Sequence, residues 1–126
     1  MAQIQEPPSA YNAKHPYNKT RTTPGGHVQM FDDTPGAEII RTQHRAGTFV
    51  EWHPDGTEVH RVVGKGYRVV FQDDNVIIKG TCNVMIEGNA EVTIQGDAIT
   101  NIQGNMNTVV EKDVNIASKG DMMLSA

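Results

Sequence analysis

From Asn75 onward the chain repeats every eight residues. Cut at its glycines it reads VIIKGTCN, VMIEGNAE, VTIQGDAI, TNIQGNMN, TVVEKDVN, IASKGDMM and LSA. Gly80, Gly88, Gly96, Gly104 and Gly120 share one phase, and Lys112 alone interrupts it. Each glycine is followed by Thr, Asn or Asp, the residues of a tight corner, and a corner of this kind is expected to need φ > 0. Internal periodicity of this sort limits the fold before any motif is considered.

Eight is an even number, so the two-residue period of a strand survives every corner and one parity can face inward throughout. The even positions are the apolar ones. Val76, Ile78, Val84, Ile86, Val92, Ile94, Ile102, Met106, Val110, Val114 and Ile116 are the candidate axial core, with Cys82, Ala90, Ala98, Met122 and Leu124 in the same parity. Thr100, Thr108, Lys112 and Ser118 stand against the pattern. Odd positions are mostly Asn, Asp, Glu, Gln, Lys and Thr, apart from Ile77, Met85, Ile99, Val109, Ala117 and Met123. This is a one-sided β pattern and not an amphipathic helix.

An octad is too short for a complete rung of a coil. Its strand of about five residues covers roughly 17 Å, one side of a triangle. A single chain closing all three sides would need about 24 residues per rung and would leave long raw edges. Three identical chains, each supplying one side per level, give about six levels around a shared core. The expected fold is therefore all-β: an intertwined homotrimeric triple-stranded β-helix, or β-prism, over residues 75–126, with no stable needle in the monomer. All aromatic residues and all six Pro fall before residue 72, so nothing bulky or ladder-breaking enters the repeat.

Upstream, residues 1–23 are polar and Pro-containing, without strand or helix period, and read as an extended linker packing on a neighbour through Tyr11 and Tyr17. A linker that opens on Met1-Ala2 is expected to have something in front of it, so the sequence reads as a piece of a longer protein. Residues 24–74 read as a β-meander collar: HVQMF, AEIIRTQH, TFVEW, TEVHRVV and YRVVF, separated by DDTPG, RAG, HPDG and GKG. Phe31, Phe49, Trp52, Tyr67 and Phe71 are the candidate collar core.

Net charge is −4 and the pI about 5.6, which argues against a general grip on nucleic acid. No apolar run approaches 18 residues and no signal-peptide core is present, so neither a helical membrane span nor secretion is expected. Cys82 reads as a small buried thiol of a protein made in a reducing cytoplasm.

The linker EPPSAYNAKHPYNK, the segment GGHVQMFDDTPGAEIIRTQHRAGTFVEWHPDGTEVHRVVG and the octads together resemble the C-terminal region of the baseplate-hub cell-puncturing protein, or tail lysozyme, of T-even-like contractile-tailed phages. The spikes of type VI secretion systems (the VgrG family) are similar around HVQMFDDTPGAEIIR and the octads. The resemblance runs from Glu6 over nearly the whole chain. It implies a homotrimeric needle beneath the tail tube, driven through the host outer membrane when the sheath contracts, in a virion made in the bacterial cytoplasm. In the phage family an OB-fold and a lysozyme domain precede this region, and neither fits residues 1–23, so the chain resembles the needle part and not the lytic part. Lys112 departs from the pattern at a corner, where the last octads are expected to widen. Some related spikes end in a His-x-His iron site. Residues 120–126 contain no His, so no metal or other cofactor is carried over.

Several residues could carry chemistry and have plainer readings. Asp32, Asp33, Glu38, Glu51, Asp55 and Glu58 could serve as paired carboxylates for glycoside cleavage, but Asp-Asp-Thr-Pro-Gly is more simply a turn capped by Asp. His44, His53 and His60 could each build a threefold metal site, yet surface or hydrogen-bonded histidine is the ordinary outcome. Gly64-Lys65-Gly66 lacks the helix and Ser/Thr of a phosphate loop and reads as a turn. No catalytic residue is assigned, and the chain is not expected to be an enzyme. Met122, Met123 and Leu124 would leave an apolar threefold end, for which a PAAR-type tip protein is the expected partner. The alternative function is a trimeric tail-fibre or adhesin module binding a cell-surface receptor, which would show recognition loops or a terminal head.

Overall fold

A computed structural model describes residues 4–126; the opening Met1-Ala2 lies outside them. The described residues contain no helix, and the protein is all-β. Five strands form one antiparallel sheet in sequence order: β1 (Asn18–Thr22), β2 (Val28–Asp32), β3 (Ile39–Gln43), β4 (Phe49–Trp52) and β5 (Glu58–Arg61).

The hairpins β1–β2, β3–β4 and β4–β5 share one turn. The N–H of Thr23, His44 and His53 donates to the carbonyl four residues on, at 3.0, 2.8 and 2.9 Å. A glycine three residues on, Gly26, Gly47 or Gly56, donates back to the first residue's carbonyl and adopts φ of +89°, +104° or +88°. This is a type I turn with a glycine bulge, the loop whose twist suits antiparallel strands. The β2–β3 connection is the DDTPG turn, closed by Ala37 N–H to Thr34 O at 2.9 Å.

Register sorts the side chains onto two faces. Asp32 pairs with Ile39, Met30 with Arg41, Arg41 with Glu51 and Phe49 with Arg61, which places these on one face. Phe31, Ile40 and Trp52 form a cross-strand row on the other. The buried apolar residues, Ile39, Phe49 and Val59, all belong to the first face. The expected aromatic core is therefore corrected. Only Phe49 is buried, whereas Phe31, Trp52, Tyr67 and Phe71 are exposed in the single chain. Phe49 and Trp52 are three apart on one strand, so they must point to opposite sides.

Two further expectations change. The polar segment Asn18–Thr22 was expected to be linker and is instead an edge strand. Its sequence NKTRT lacks an apolar alternation because it lies at the sheet margin, mostly exposed on both faces. Conversely, YRVVF forms no strand, and a bend falls at Phe71-Gln72.

The chain divides into two units, one ending at Met85 and the other Ile86–Ala126. Beyond β5 the backbone runs in extended segments interrupted by bends at 63–64, 71–72, 79–80, 87–88, 95–96, 103–104, 111–112 and 119–120. The eight-residue spacing thus begins before the glycine repeat and passes through Lys112 unbroken. None of these segments pairs with another in the chain. The glycine rationale also changes, because none of the octad glycines has positive φ. A bend with ordinary φ is open to any L-residue, which is why Lys112 can occupy it.

Candidate functional site

The first polar constellation holds the N-terminal segment to the sheet. Glu51 on β4 is 1 % exposed, and its Oε1 accepts from Ser9 Oγ at 2.6 Å. Its Oε2 lies 3.3 Å from Arg41 and 3.3 Å from His53 Nε2. Arg41 also donates from Nε to Gln43 Oε1 at 2.9 Å, and its guanidinium stacks 3.9 Å over the Phe49 ring. A buried carboxylate requires such partners, since an unpaired one is costly in a dry environment.

Arg61 extends the same arrangement. Its guanidinium grips Glu6 in a fork, Nε to Oε1 at 2.9 Å and NH2 to Oε2 at 2.7 Å. The paired hydrogen bonds hold the Glu6 carboxyl below its ordinary range and raise the Arg61 pKa. At the opposite end, Lys14 N–H donates to Thr34 Oγ1 at 3.0 Å. Thr34 Oγ1 and N–H in turn donate to Asp32 Oδ1 at 2.6 and 2.9 Å. Residues 6–14 thereby cover the face that carries Phe49.

This geometry decides how the carboxylates are used. Asp32 caps the DDTPG turn, and its buried Oδ2 has no partner among the described residues. Asp55 caps the 53–57 hairpin by accepting from Thr57 N–H at 3.0 Å, which lowers its pKa. Glu51 is bound into the ion pair. Asp33, Glu38 and Glu58 are exposed. Asp32, Asp33 and Glu38 do border a shallow groove of about 290 Å³ with Phe31, Ile40 and Trp52.

The histidines disperse. His44 lies against His27 with ring centroids 4.6 Å apart and the rings tilted by 43°, His53 joins Glu51, and His60 is exposed. Among the described residues no three His, Cys, Asp or Glu side chains gather as a metal site. Gly64 lies in a bend with no helix after it, and Cys82 is exposed in the single chain.

The second constellation is the octad stretch. Ile78, Ile86, Ile94, Ile102 and Val110, each immediately before a bend, keep 54, 57, 57, 49 and 48 % of their surface exposed. The odd-numbered Ile77, Ile99 and Val109 keep 83, 85 and 92 %, with Met85 an exception at 46 %. The residue just before each of these bends is therefore the more sheltered position even within a single chain. Val76, Val84, Val92, Met106, Val114 and Ile116 are more open, and Met122, Met123 and Leu124 are exposed at the end of the chain. A Cβ at Gly80, Gly88, Gly96, Gly104 or Gly120 would meet nothing within 4 Å.

The anchors Ser9–Glu51 and Glu6–Arg61 were missed by sequence reasoning. They join residues 42 and 55 apart, and no local pattern announces such a contact.

No protein-family model matches the chain. Two curated proteins do match: Protein Gp5 of Vibrio phage KVP40, 47 % identical over 70 residues, and the pre-baseplate central spike protein Gp5 of Enterobacteria phage T4, 39 % identical over 77 residues. This chain is homologous to phage Gp5. The matches cover 56 and 61 % of the chain. They span only 17 and 13 % of the Gp5 relatives' own lengths.

Proposed function

We propose that the chain is the needle portion of a baseplate spike in a contractile-tailed phage virion. It transmits the force of sheath contraction to pierce the host outer membrane and carries no catalysis of its own. The observation that supports this most is the octad stretch. Residues 62–126 bend every eight residues without one ladder inside the chain, and the apolar residues gather on one parity. Extended backbone needs partners for its N–H and C=O groups, and its apolar parity needs cover.

Three copies wound around one axis supply both. Val76, Ile78, Val84, Ile86, Val92, Ile94, Ile102, Met106, Val110, Val114 and Ile116 then face the axis. The bends at Gly80, Gly88, Gly96, Gly104 and Gly120 become the corners of a triangular prism. These glycines have ordinary φ and no crowding from their own chain, so close approach of neighbouring chains is a reason for Gly there. About six levels at roughly 4.8 Å give a shaft of some 30 Å, stiff under axial load because each edge is paired. The segment before β1 leads toward an upstream hub or lytic region, β1 to β5 form the collar and residues 75–126 the needle. Homology to proteins that include a central spike agrees with this role.

Native mass spectrometry of the purified chain tests the reading. A mass of three chains that resists SDS is expected. A folded monomer, or melting that follows a monomer–trimer equilibrium with the monomer folded, overturns it.

A further inference from the structure

The bends of the octad stretch carry a second column beside the glycines. The first residue of each bend reads Lys79, Glu87, Gln95, Gln103, Glu111 and Lys119, all exposed. Its charges fall in the first two and the last two octads, in opposite order, with two neutral residues between them.

In a prism of three chains, successive levels along one edge come from different copies, stacked at roughly 4.8 Å. The displacement of one copy from the next therefore decides which charges meet across the ladder. With no displacement, each residue of the column faces itself, Lys on Lys and Glu on Glu. A displacement of two octads sets Lys79 on Gln95, Glu87 on Gln103, Gln95 on Glu111 and Gln103 on Lys119, so no opposite charges meet. Three octads, the rung of a single-chain coil, bring Glu87 onto Glu111, a like pair. One octad alone brings opposite charges together, Lys79 on Glu87 and Glu111 on Lys119, with no like pair in the column.

We infer that this column sets the stagger between neighbouring copies of the chain at one octad. Lys79 lies against Glu87 of the next copy, and Glu111 against Lys119 of the next copy. The apolar parity cannot choose the stagger, because it is alike in every octad. The charges can: if one copy slides by an octad, one of its junctions takes zero displacement and the other takes two. It then gains like pairs on one side and loses opposite pairs on the other. Exposed ion pairs are individually weak, but each occurs three times in a trimer and acts between otherwise similar alternatives. One adjacent column opposes the stagger, since Asp113 then meets Asp121. Lys112 adjoins Asp113 in its own chain and lies diagonal to Asp121 of the next copy, which gives the bend residue that replaces glycine a reason for its charge. The inference rests on the threefold needle proposed above and adds which octad of one copy lies on which octad of the next.

The test uses the full chain with Cys82→Ala, so that no native thiol competes. Glu111→Cys with Lys119→Cys places two thiols one level apart, at about 4.8 Å between Cα atoms and within the span of a disulfide. Mild oxidation followed by denaturation should yield a covalent trimer that reductant dissolves. Glu111→Cys alone should yield monomer, because its three copies stand at different edges. Gln103→Cys with Lys119→Cys, two levels apart at about 10 Å, should also yield monomer. The charges are read separately at the other end of the column. Glu87→Lys should lower the melting temperature of the trimer at low salt, and adding Lys79→Glu should restore it. High salt should compress both differences, since screening shortens the reach of exposed charges to about 3 Å at 1 M. A trimer by native mass that fails to cross-link at 111 and 119, or links through Glu111→Cys alone or through 103 and 119, overturns the stagger and leaves the threefold needle standing. Melting indifferent to Glu87→Lys overturns the role of the charges. A monomeric native mass of the unaltered chain overturns the needle reading as well.

Discussion

At the scale of single residues, the fork between Arg61 and Glu6 is the contact with a definite pH signature. The Glu6 carboxyl is held below its ordinary value of 4.5, so its contribution is present above that value and is lost as pH falls through the depressed folded pKa. Attachment of the N-terminal segment through this pair should therefore be unaffected near neutrality and loosen only in stronger acid. Carbon-detected NMR of the Glu6 carboxyl should give a midpoint below 4.5 in the native chain and a rise toward 4.5 in Arg61→Gln. An unchanged midpoint in the variant would show that the fork does not set it. The anchor was illegible in the sequence because Glu6 and Arg61 are 55 positions apart, within stretches that each look like ordinary polar surface. Asp32 was the opposite case: Asp-Asp-Thr-Pro-Gly reads as a capped turn, and Thr34 makes that cap.

At the scale of elements, glycine has two roles that the sequence alone runs together. Gly47 sits at φ +104°, and a Cβ there would lie 3.2 Å from Val63 Cγ2. Gly47→Ala should therefore destabilise the sheet by about 1–2 kcal/mol, read as a lower melting temperature. Gly96 has neither constraint. Gly96→Ala should leave the sheet intact and weaken only the assembled needle, seen as a smaller SDS-resistant fraction. If Gly96→Ala assembles with unchanged resistance, crowding between chains is not the reason for that glycine. Strands β2 to β5 were legible because Gly, Pro and Asp punctuate runs of strand formers. Strand β1 was not, because an exposed edge can be built from Asn, Lys, Thr and Arg without any apolar period.

At the scale of the whole molecule, the end of the chain carries the remaining expectation. Met122, Met123 and Leu124 are 54, 86 and 93 % exposed, and in a threefold needle their copies converge into an apolar terminus. A PAAR-type tip protein should bind the purified trimer there. Met122→Ser with Leu124→Ser should weaken that binding by more than about tenfold, since burying each side chain contributes roughly 1.5–3 kcal/mol. Calorimetric titration that detects no binding to a folded trimer would overturn the expectation of a tip partner. The repeat made the eight-residue spacing of the bends in residues 75–126 legible. What it could not reveal was how the sheet before it is clasped, because those contacts depend on tertiary register and not on period.

The sameness of the octads carries a further consequence. Sliding one strand of a three-ply cord by eight positions would again set apolar beside apolar and bend beside bend, so the repeat by itself supplies no origin for alignment. The meander at its head is the unrepeated landmark. It can act as a starting mark from which the plies are laid down level, leaving their far ends flush.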